Sequence, residues 1–251
     1  MSLDLANYEE RARQAVALFW ATRMGARIRQ AQKGVLDVGD RAAVTAGKNM
    51  DGFVALVKAV VEKNGLSESE IFSGAELERR QRQVTLPGFY RPVKDWDLLV
   101  VHRERLVAAL EFKSQIGPSF GNNFNNRCEE AIGTATDLWV AYREGAFGDS
   151  PRPFLGYLML LEDAARSRSP VQVKSDHFAV FREFEGASYA ARYEILCRKL
   201  VQERLYEAAT LLLSPRDEEV NGAYGEMSEM TGLKRLVTGL AGHVAEVAAL
   251  G

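Results

Sequence analysis

The chain has 251 residues, of which 47% are hydrophobic and 26% are charged, and its formal net charge is −2. This composition is that of an ordinary globular protein, and it excludes a disordered or fibrous chain. The slightly acidic balance does not indicate a nucleic-acid-binding protein, because such domains are often strongly basic overall, so contacts with phosphates would have to come from local basic patches.

Signals for export, membrane insertion and zinc binding are missing from the sequence. The N-terminal segment is acidic and has neither the basic start nor the apolar stretch of a signal peptide. The apolar run from Phe154 to Leu161 has 8 residues, whereas a membrane-spanning helix needs about 20. Cys128 and Cys197 have no CxxC spacing, and the three histidines have no zinc-ligand spacing. We therefore expect a cytoplasmic protein with no membrane role and no zinc site.

The first third of the chain, residues 1–85, is predicted to be mostly helical. Apolar residues recur at intervals of three and four from Asp4 to about Lys33, which predicts a long amphipathic helix. The same spacing predicts a second helix from about Asn49 to Glu62. The sequence Ser67-Glu68-Ser69-Glu70 resembles a capping box and predicts a short third helix that begins at Ser67.

The pattern changes to that of β-strands after Pro87-Gly88 and Pro92. The β-prone run from Asp97 to Val101 is followed by a polar turn and by a second apolar run, Leu106 to Lys113. These runs predict a β-hairpin, and because both of its faces are largely apolar we expect it to lie in the middle of a sheet between covering helices.

The chain after the hairpin is predicted to mix helices and strands. Residues from Gly117 to Arg127 are rich in Gly, Asn and Ser, which is typical of a loop. The further predicted elements are a helix over Glu129 to Tyr142, strands over Phe154 to Leu161 and Phe178 to Phe184, and helices over Tyr189 to Leu213 and Met230 to Leu250. The tryptophans fall in apolar periodic patterns and are predicted to be core residues: Trp20, Trp96 and Trp139.

This order of elements predicts an α/β fold in which a mixed central sheet is flanked by helices. We expect one domain over residues 1–251, with a helical N-terminal region, a sheet core over residues 92–185 and C-terminal helices over residues 186–251.

Three charged residues interrupt the apolar hairpin, and charges in such a place need a physical reason. Glu111 and Lys113 are two apart in a strand and so project from the same face, and Asp97 opens the paired strand. Two converging carboxylates form a hard oxygen site suited to Mg²⁺, and Lys113 could orient or deprotonate an attacking water or stabilise developing charge.

Two alternatives stay open for this constellation. A Glu-x-Lys pattern is common by chance, and it is often only a solvated strand face or an ion pair. Asp95 is two residues before Asp97 and would face the same side of an extended segment. We favour Asp97 as the functional acid because it directly adjoins the apolar run.

Basic and amide side chains near the hairpin are candidate DNA contacts. The segment after Lys113 carries Asn122, Asn123, Asn125, Asn126 and Arg127, residue types that can read bases or clamp phosphates but that also form turns and helix caps. Arg79, Arg80 and Arg82 could contact backbone phosphates, or they could be a solvated helix face. Further basic residues cluster early in the chain, at Arg23, Arg27, Arg29 and Lys33, and Arg91 and Lys94 precede the proposed site.

The residues Asp97 and Glu111-Phe112-Lys113 resemble the PD-(D/E)XK nuclease signature, although Pro92 is not adjacent to the acid. A longer stretch resembles the XhoI-type restriction endonucleases: Asp95-Trp96-Asp97, Glu111-Phe112-Lys113-Ser114-Gln115 and the segment from Gly117 to Arg127. The length and the opening Leu3-Asp4-Leu5 are also similar.

This resemblance implies a restriction-endonuclease-like fold and type II restriction of double-stranded DNA. It implies a homodimer that uses Mg²⁺ to cleave both strands of the palindrome CTCGAG, leaving 5′ overhangs of four bases, and a cognate DNA methyltransferase in the host. In the family pattern Asp97 and Glu111 are the metal ligands and Lys113 is the third catalytic residue. The competing hypotheses are a structure-selective repair or recombination nuclease of the same fold and a non-catalytic DNA-binding protein.

Overall fold

The fold is described here from a computed structural model, which describes residues 2–32, 49–67, 70–74, 83–118, 120–216 and 221–250. The helices in these ranges are α1 (Tyr8–Gln32), α2 (Asp51–Lys63), α3 (Phe120–Arg143), α4 (Ala165–Arg168), α5 (Tyr189–Gln202) and α6 (Leu233–Leu250). The strands are β1 (Ile71–Ser73), β2 (Thr85–Pro87), β3 (Val93–Asp95), β4 (Leu98–His102), β5 (Arg105–Gln115), β6 (Phe154–Glu162), β7 (Ala208–Ser214) and β8 (Gly225–Glu226).

A six-stranded mixed sheet organises the described residues, in the order β1-β4-β5-β6-β7-β8. Strands β4 and β5 form the predicted antiparallel hairpin, and β5, β6 and β7 run parallel to one another. Strands β2 and β3 pair separately as a small antiparallel hairpin directly before β4. The predicted α/β class with a mixed central sheet is confirmed.

Each face of the sheet is covered by its own hydrophobic core. On one face, α1, α2 and α6 pack against inward residues of β5 such as Leu110 and Phe112. On the other face, α3 and α5 pack against residues such as Ala109 and Tyr157. Alternation along β5 therefore puts Glu111 and Lys113 on the face that α3 and α5 cover. The tryptophans predicted to be core residues are buried.

The helical prediction for Tyr189 to Leu213 is wrong in its second half. Helix α5 ends at Gln202, Arg204 adopts a positive φ of 56°, and the chain returns as β7, parallel to β6. Every residue of β7 is buried. A short run that is apolar on all sides fits a fully buried strand as well as a buried helix, so periodicity could not separate the two. The sheet therefore continues into the region where only helices were expected.

Two further predictions are corrected. Phe178 to Phe184 is not a strand: it ends in a 3-10 turn over Arg182–Phe184, and Phe178 and Phe181 are 82% and 75% exposed. The segment Gly117 to Arg127 is not a loop throughout, because α3 already begins at Phe120. Both errors come from composition: aromatic residues favour strands and Gly and Asn favour turns, but these preferences are weak and depend on context.

Apart from the helix predicted at Ser67, the remaining predicted helices are present, with α1, α2 and α6 close to their predicted bounds. The short helix predicted at Ser67 includes residues 68 and 69, which lie outside the described ranges. The capping-box contact itself is present, because the backbone N–H of Ser67 donates to the Glu70 carboxylate at 2.7 Å. Within the described ranges, no helix combines the length and the apolar character that crossing a membrane requires.

Candidate active site

The β4–β5 hairpin brings Asp97 beside Glu111 and Lys113. Leu98 pairs with Leu110 in the hairpin register, so the residue before β4 lies next to the start of the Glu111–Lys113 segment. The backbone N–H of Phe112 donates to Asp97 Oδ2 at 2.7 Å and thereby fixes that carboxylate. The structure thus joins three residues that the sequence separates by up to sixteen positions.

Lys113 links the two acids. Its ammonium forms an ion pair with Glu111 Oε2, and its Nζ lies 3.6 Å from Asp97 Oδ2. Glu111 is almost completely buried, with a side chain that is 4% exposed, whereas the side chain of Asp97 is 42% exposed. The group therefore reaches from the covered face of the sheet to solvent.

A second lysine, Lys94 of β3, also contacts Glu111. Its ammonium forms an ion pair with Glu111 Oε1, donates to the carbonyl of Asp95 at 2.8 Å, and lies 4.9 Å from the ring centroid of Trp96. Sequence reasoning counted Lys94 only as part of a basic cluster. The contact joins two separately paired hairpins, and pattern or spacing in the sequence does not specify it.

Asp95, the competing acid, points elsewhere. Its carboxylate accepts a hydrogen bond from Thr85 Oγ1 at 2.5 Å across the β2–β3 hairpin, and the residue is exposed. Asp97 is therefore the acid that lies beside Lys113.

Burial and neighbouring charges shift the pKa values of the three residues in different directions. Burial alone would raise the pKa of Glu111, but the ammonium groups of Lys113 and Lys94 outweigh it and lower that pKa. Partial burial and the negative charge of Glu111 raise the pKa of Asp97, although the positive charge of Lys113 acts to lower it. Burial alone would lower the pKa of Lys113, but Glu111 and Asp97 raise it. The surroundings thus favour the charged forms of Glu111 and Lys113, whereas they make Asp97 harder to ionise than a free aspartate.

The β2–β3 hairpin that carries Lys94 is fixed to α3. Asp137 accepts hydrogen bonds from the backbone N–H groups of Phe89 and Tyr90, both at 2.8 Å, and from Arg91 Nε at 2.7 Å. Burial alone would raise the pKa of Asp137, but these donors lower it. This anchor, which the sequence did not reveal, holds the hairpin beside the catalytic candidates.

The predicted DNA-contact residues after Lys113 lie on the first turns of α3. Asn125 and Asn126 are exposed and Asn123 is half-buried, whereas the structure does not describe the side chain of Asn122. Arg127 is half-buried and forms an ion pair with Glu130. The positive charge of Arg127 acts to lower the pKa of Lys113, against the two carboxylates that raise it. Arg127 therefore contributes to the electrostatics of the candidate site. Arg79, Arg80 and Arg82 lie outside the described residues.

The residues present fit a magnesium ion. Asp97 and Glu111 both lie beside Lys113, and among the described residues no third acidic, His or Cys side chain joins them. Mg²⁺ typically takes one or two protein carboxylates and completes its shell with water and substrate phosphate oxygens. The donor set is all oxygen, as this hard cation prefers.

A mixed sheet with two acids and a lysine on one hairpin is the arrangement of the PD-(D/E)XK nucleases, which the sequence signature already indicated. The comparison with protein families agrees: residues 29–226 match the family model described as Restriction endonuclease XhoI. The chain therefore belongs to the XhoI restriction endonuclease family. It is a type II restriction enzyme, a site-specific deoxyribonuclease whose substrate is DNA.

Three curated relatives support this assignment. The chain is 49% identical over 215 residues to Type II restriction enzyme XhoI of Xanthomonas vasicola, covering 86% of this chain and 84% of the relative. It is 47% identical over 219 residues to Type II restriction enzyme BstVI of Geobacillus stearothermophilus, covering 85% and 95%. It is 56% identical over 182 residues to Type II restriction enzyme AbrI of Azospirillum brasilense, covering 72% and 79%. No solved structure matches the chain.

Proposed function

We propose that this enzyme hydrolyses both strands of double-stranded DNA at the palindrome CTCGAG in a Mg²⁺-dependent reaction that leaves 5′ overhangs of four bases. The catalytic residues are Asp97, Glu111 and Lys113. The observation that carries the proposal is the joint contact of Lys113 with both carboxylates on the sheet hairpin. The resemblance to XhoI-type enzymes supports the recognition sequence.

Asp97 and Glu111 would hold the magnesium ion. When bound, this ion supplies Lewis-acid stabilisation of the scissile phosphate and lowers the pKa of a bound water. Asp97 is held in place by the Phe112 N–H, and Glu111 is held by strand β5, which pairs on both sides. Rigid support of this kind keeps ligands in the geometry that the reaction needs.

Lys113 would act on the reacting phosphate and water. Its ammonium lies between the two carboxylates, so a phosphate brought to the metal ligands would come within its reach. A positive group at that place stabilises the charge that develops on the phosphate oxygens and orients the attacking water.

DNA would be held by basic and amide side chains around this site. Arg127 would contact a phosphate near Lys113, and the amides at positions Asn122, Asn123, Asn125 and Asn126 would lie along the DNA from the start of α3. Arg79, Arg80 and Arg82 are further phosphate-contact candidates. A two-fold homodimer would place one such site on each strand of a palindrome. We expect the enzyme in the cytoplasm, beside host DNA protected by a cognate methyltransferase.

The test is cleavage of a plasmid that carries one CTCGAG site, with Mg²⁺ and with a chelator. We expect one cut in Mg²⁺, none in chelator, and none with Asp97→Asn, Glu111→Gln or Lys113→Met. The exposed variant Lys174→Met is the matched lysine control and should cut normally. Cutting at other sequences would reject the CTCGAG specificity, and full activity of any site variant would reject the assigned residues. DNA binding without cleavage would favour the non-catalytic hypothesis.

A further inference from the structure

Glu111 has more cationic partners than a metal ligand needs. Lys113 occupies one of its oxygens and Lys94 the other, so the metal-free carboxylate is enclosed by two ammonium groups. The proposed hydrolysis gives Lys113 a role at the phosphate and the attacking water, whereas it gives Lys94 no role. The side chain of Lys94 is mostly buried, at 16% exposed, so its ion pair with Glu111 lies within the site and not on the surface.

The charges in this group balance without a metal ion. Asp97 and Glu111 carry at most two negative charges, and Lys94 and Lys113 supply two positive charges. A divalent cation entering this group would be repelled by both ammonium groups, and unscreened charges interact strongly in partly buried sites. Metal binding therefore requires that an ammonium group withdraw from Glu111 or that a DNA phosphate add negative charge.

Lys94 is the lysine that can withdraw more easily. It lies on β3, a strand of three residues that is not part of the six-stranded sheet, whereas Lys113 lies within β5. Lys94 also keeps other partners, because its Nζ donates to the Asp95 carbonyl at 2.8 Å and lies 4.9 Å from the ring centroid of Trp96. The long flexible stem of lysine allows a small displacement that retains both contacts.

We propose that Lys94 is a displaceable counterion of Glu111 that competes with divalent metal ions in the DNA-free enzyme. It keeps the Glu111 carboxylate in place before the metal ion arrives and weakens metal binding until DNA supplies phosphate. Because binding effects are reciprocal, DNA and metal then strengthen one another's binding. This inference rests on the proposed magnesium site at Asp97 and Glu111.

The experiment is a calorimetric titration of the DNA-free full-length protein with Mg²⁺. We expect Lys94→Met to bind Mg²⁺ about ten-fold more tightly than the wild type, because one competing charge is gone. Lys94→Arg keeps the charge and should retain weak binding, and Lys174→Met should match the wild type. Unchanged or weaker Mg²⁺ binding by folded Lys94→Met would overturn the inference.

Two further measurements distinguish failure of the proposed metal site from failure of the Lys94 inference. Glu111→Gln should lose Mg²⁺ binding; if it binds like the wild type, the proposed metal site itself fails, which is a separate result from failure of the Lys94 inference. In the wild type, the rate at which an amine-reactive ester acylates Lys94, read by mass spectrometry, should rise when Mg²⁺ is added, with Lys174 unchanged. This readout does not depend on whether the variants fold, and a constant Lys94 rate would also overturn the inference.

Discussion

Two buried glutamates on neighbouring parallel strands, Glu111 of β5 and Glu162 of β6, have similar burial but different partners. Their side chains are 4% and 8% exposed. Glu111 is paired with two lysine ammonium groups. Glu162 accepts hydrogen bonds from Nε and Nη2 of Arg216, each at 2.8 Å, and from the backbone N–H of Gly117, also at 2.8 Å.

On the proposed function, this difference in partners distinguishes a metal-binding glutamate from one that forms a structural ion pair. A bidentate guanidinium and a backbone amide hold a carboxylate in one fixed geometry. Lysine ammonium groups are point charges on mobile stems, so they can give way to a metal ion or a phosphate. Burial and charge alone do not distinguish the two glutamates, whereas the type of partner does.

The largest expected effect is on catalysis at Glu111. Glu111→Gln removes the proposed metal ligand, and loss of several kcal/mol of transition-state stabilisation corresponds to a rate decrease of about 10³-fold or more. Glu162→Gln should stay within a few-fold of wild-type cleavage per folded molecule. Single-turnover cleavage of a duplex substrate checks this, and equal losses in the two variants would break the comparison.

The next effect is on stability at Glu162. Glu162→Gln leaves the Arg216 fork and the Gly117 N–H without their charged acceptor, and breaking a buried pair costs about 3 kcal/mol of unfolding free energy. Glu111→Gln should cost less, because its two lysines can turn toward solvent. Urea denaturation of both variants measures the difference. A Glu111 variant that is the less stable of the two would contradict our account.

A smaller effect is expected at the anchor of the β2–β3 hairpin. Asp137→Ala removes acceptors for two backbone N–H groups and for Arg91, at a cost of roughly 2 kcal/mol. The pKa of Asp137 is lowered, so this contribution is present above the ordinary aspartate pKa and is lost as the pH falls through the lowered value. Thermal unfolding across acid pH, with the exposed Asp176→Ala as control, tests it; a pH-independent difference from the wild type would count against it.

The smallest stability effect is expected at Asp97. Its pKa is raised, so the folded protein binds this proton more tightly than the unfolded chain, and stability falls as the pH rises through the raised value. Asp97→Asn should therefore unfold at neutral pH no more easily than the wild type, although it should not cleave DNA. Thermal unfolding measures this, and a clear loss of stability would show that Asp97 is held for the fold instead.

Local patterns predicted the hairpin that brings the three candidate residues together, because its geometry is local. Alternation along one strand placed Glu111 and Lys113 on one face, and a short turn to the preceding strand placed Asp97 beside them. The helices α2 and α6 were predictable for a similar reason, since each buries one stripe of its own residues.

Contacts between separate elements could not be read from the sequence. Lys94 reaches Glu111 from a different hairpin, Asp137 reaches Phe89 and Tyr90 from α3, and Arg216 reaches Glu162 from beyond β7. Strand β7 was missed because its buried leucines suit a strand or a helix equally well. In each case long-range packing, rather than local pattern, decides the structure.

The most direct test of our account is the Mg²⁺ dependence of single-turnover cleavage of a CTCGAG duplex by the wild type, Glu111→Gln and Glu162→Gln. We predict Mg²⁺-dependent cleavage by the wild type and by folded Glu162→Gln, and none by Glu111→Gln. Cleavage by Glu111→Gln at the wild-type rate, with the same Mg²⁺ dependence, would contradict the central claim that the lysine-paired glutamate is the catalytic one.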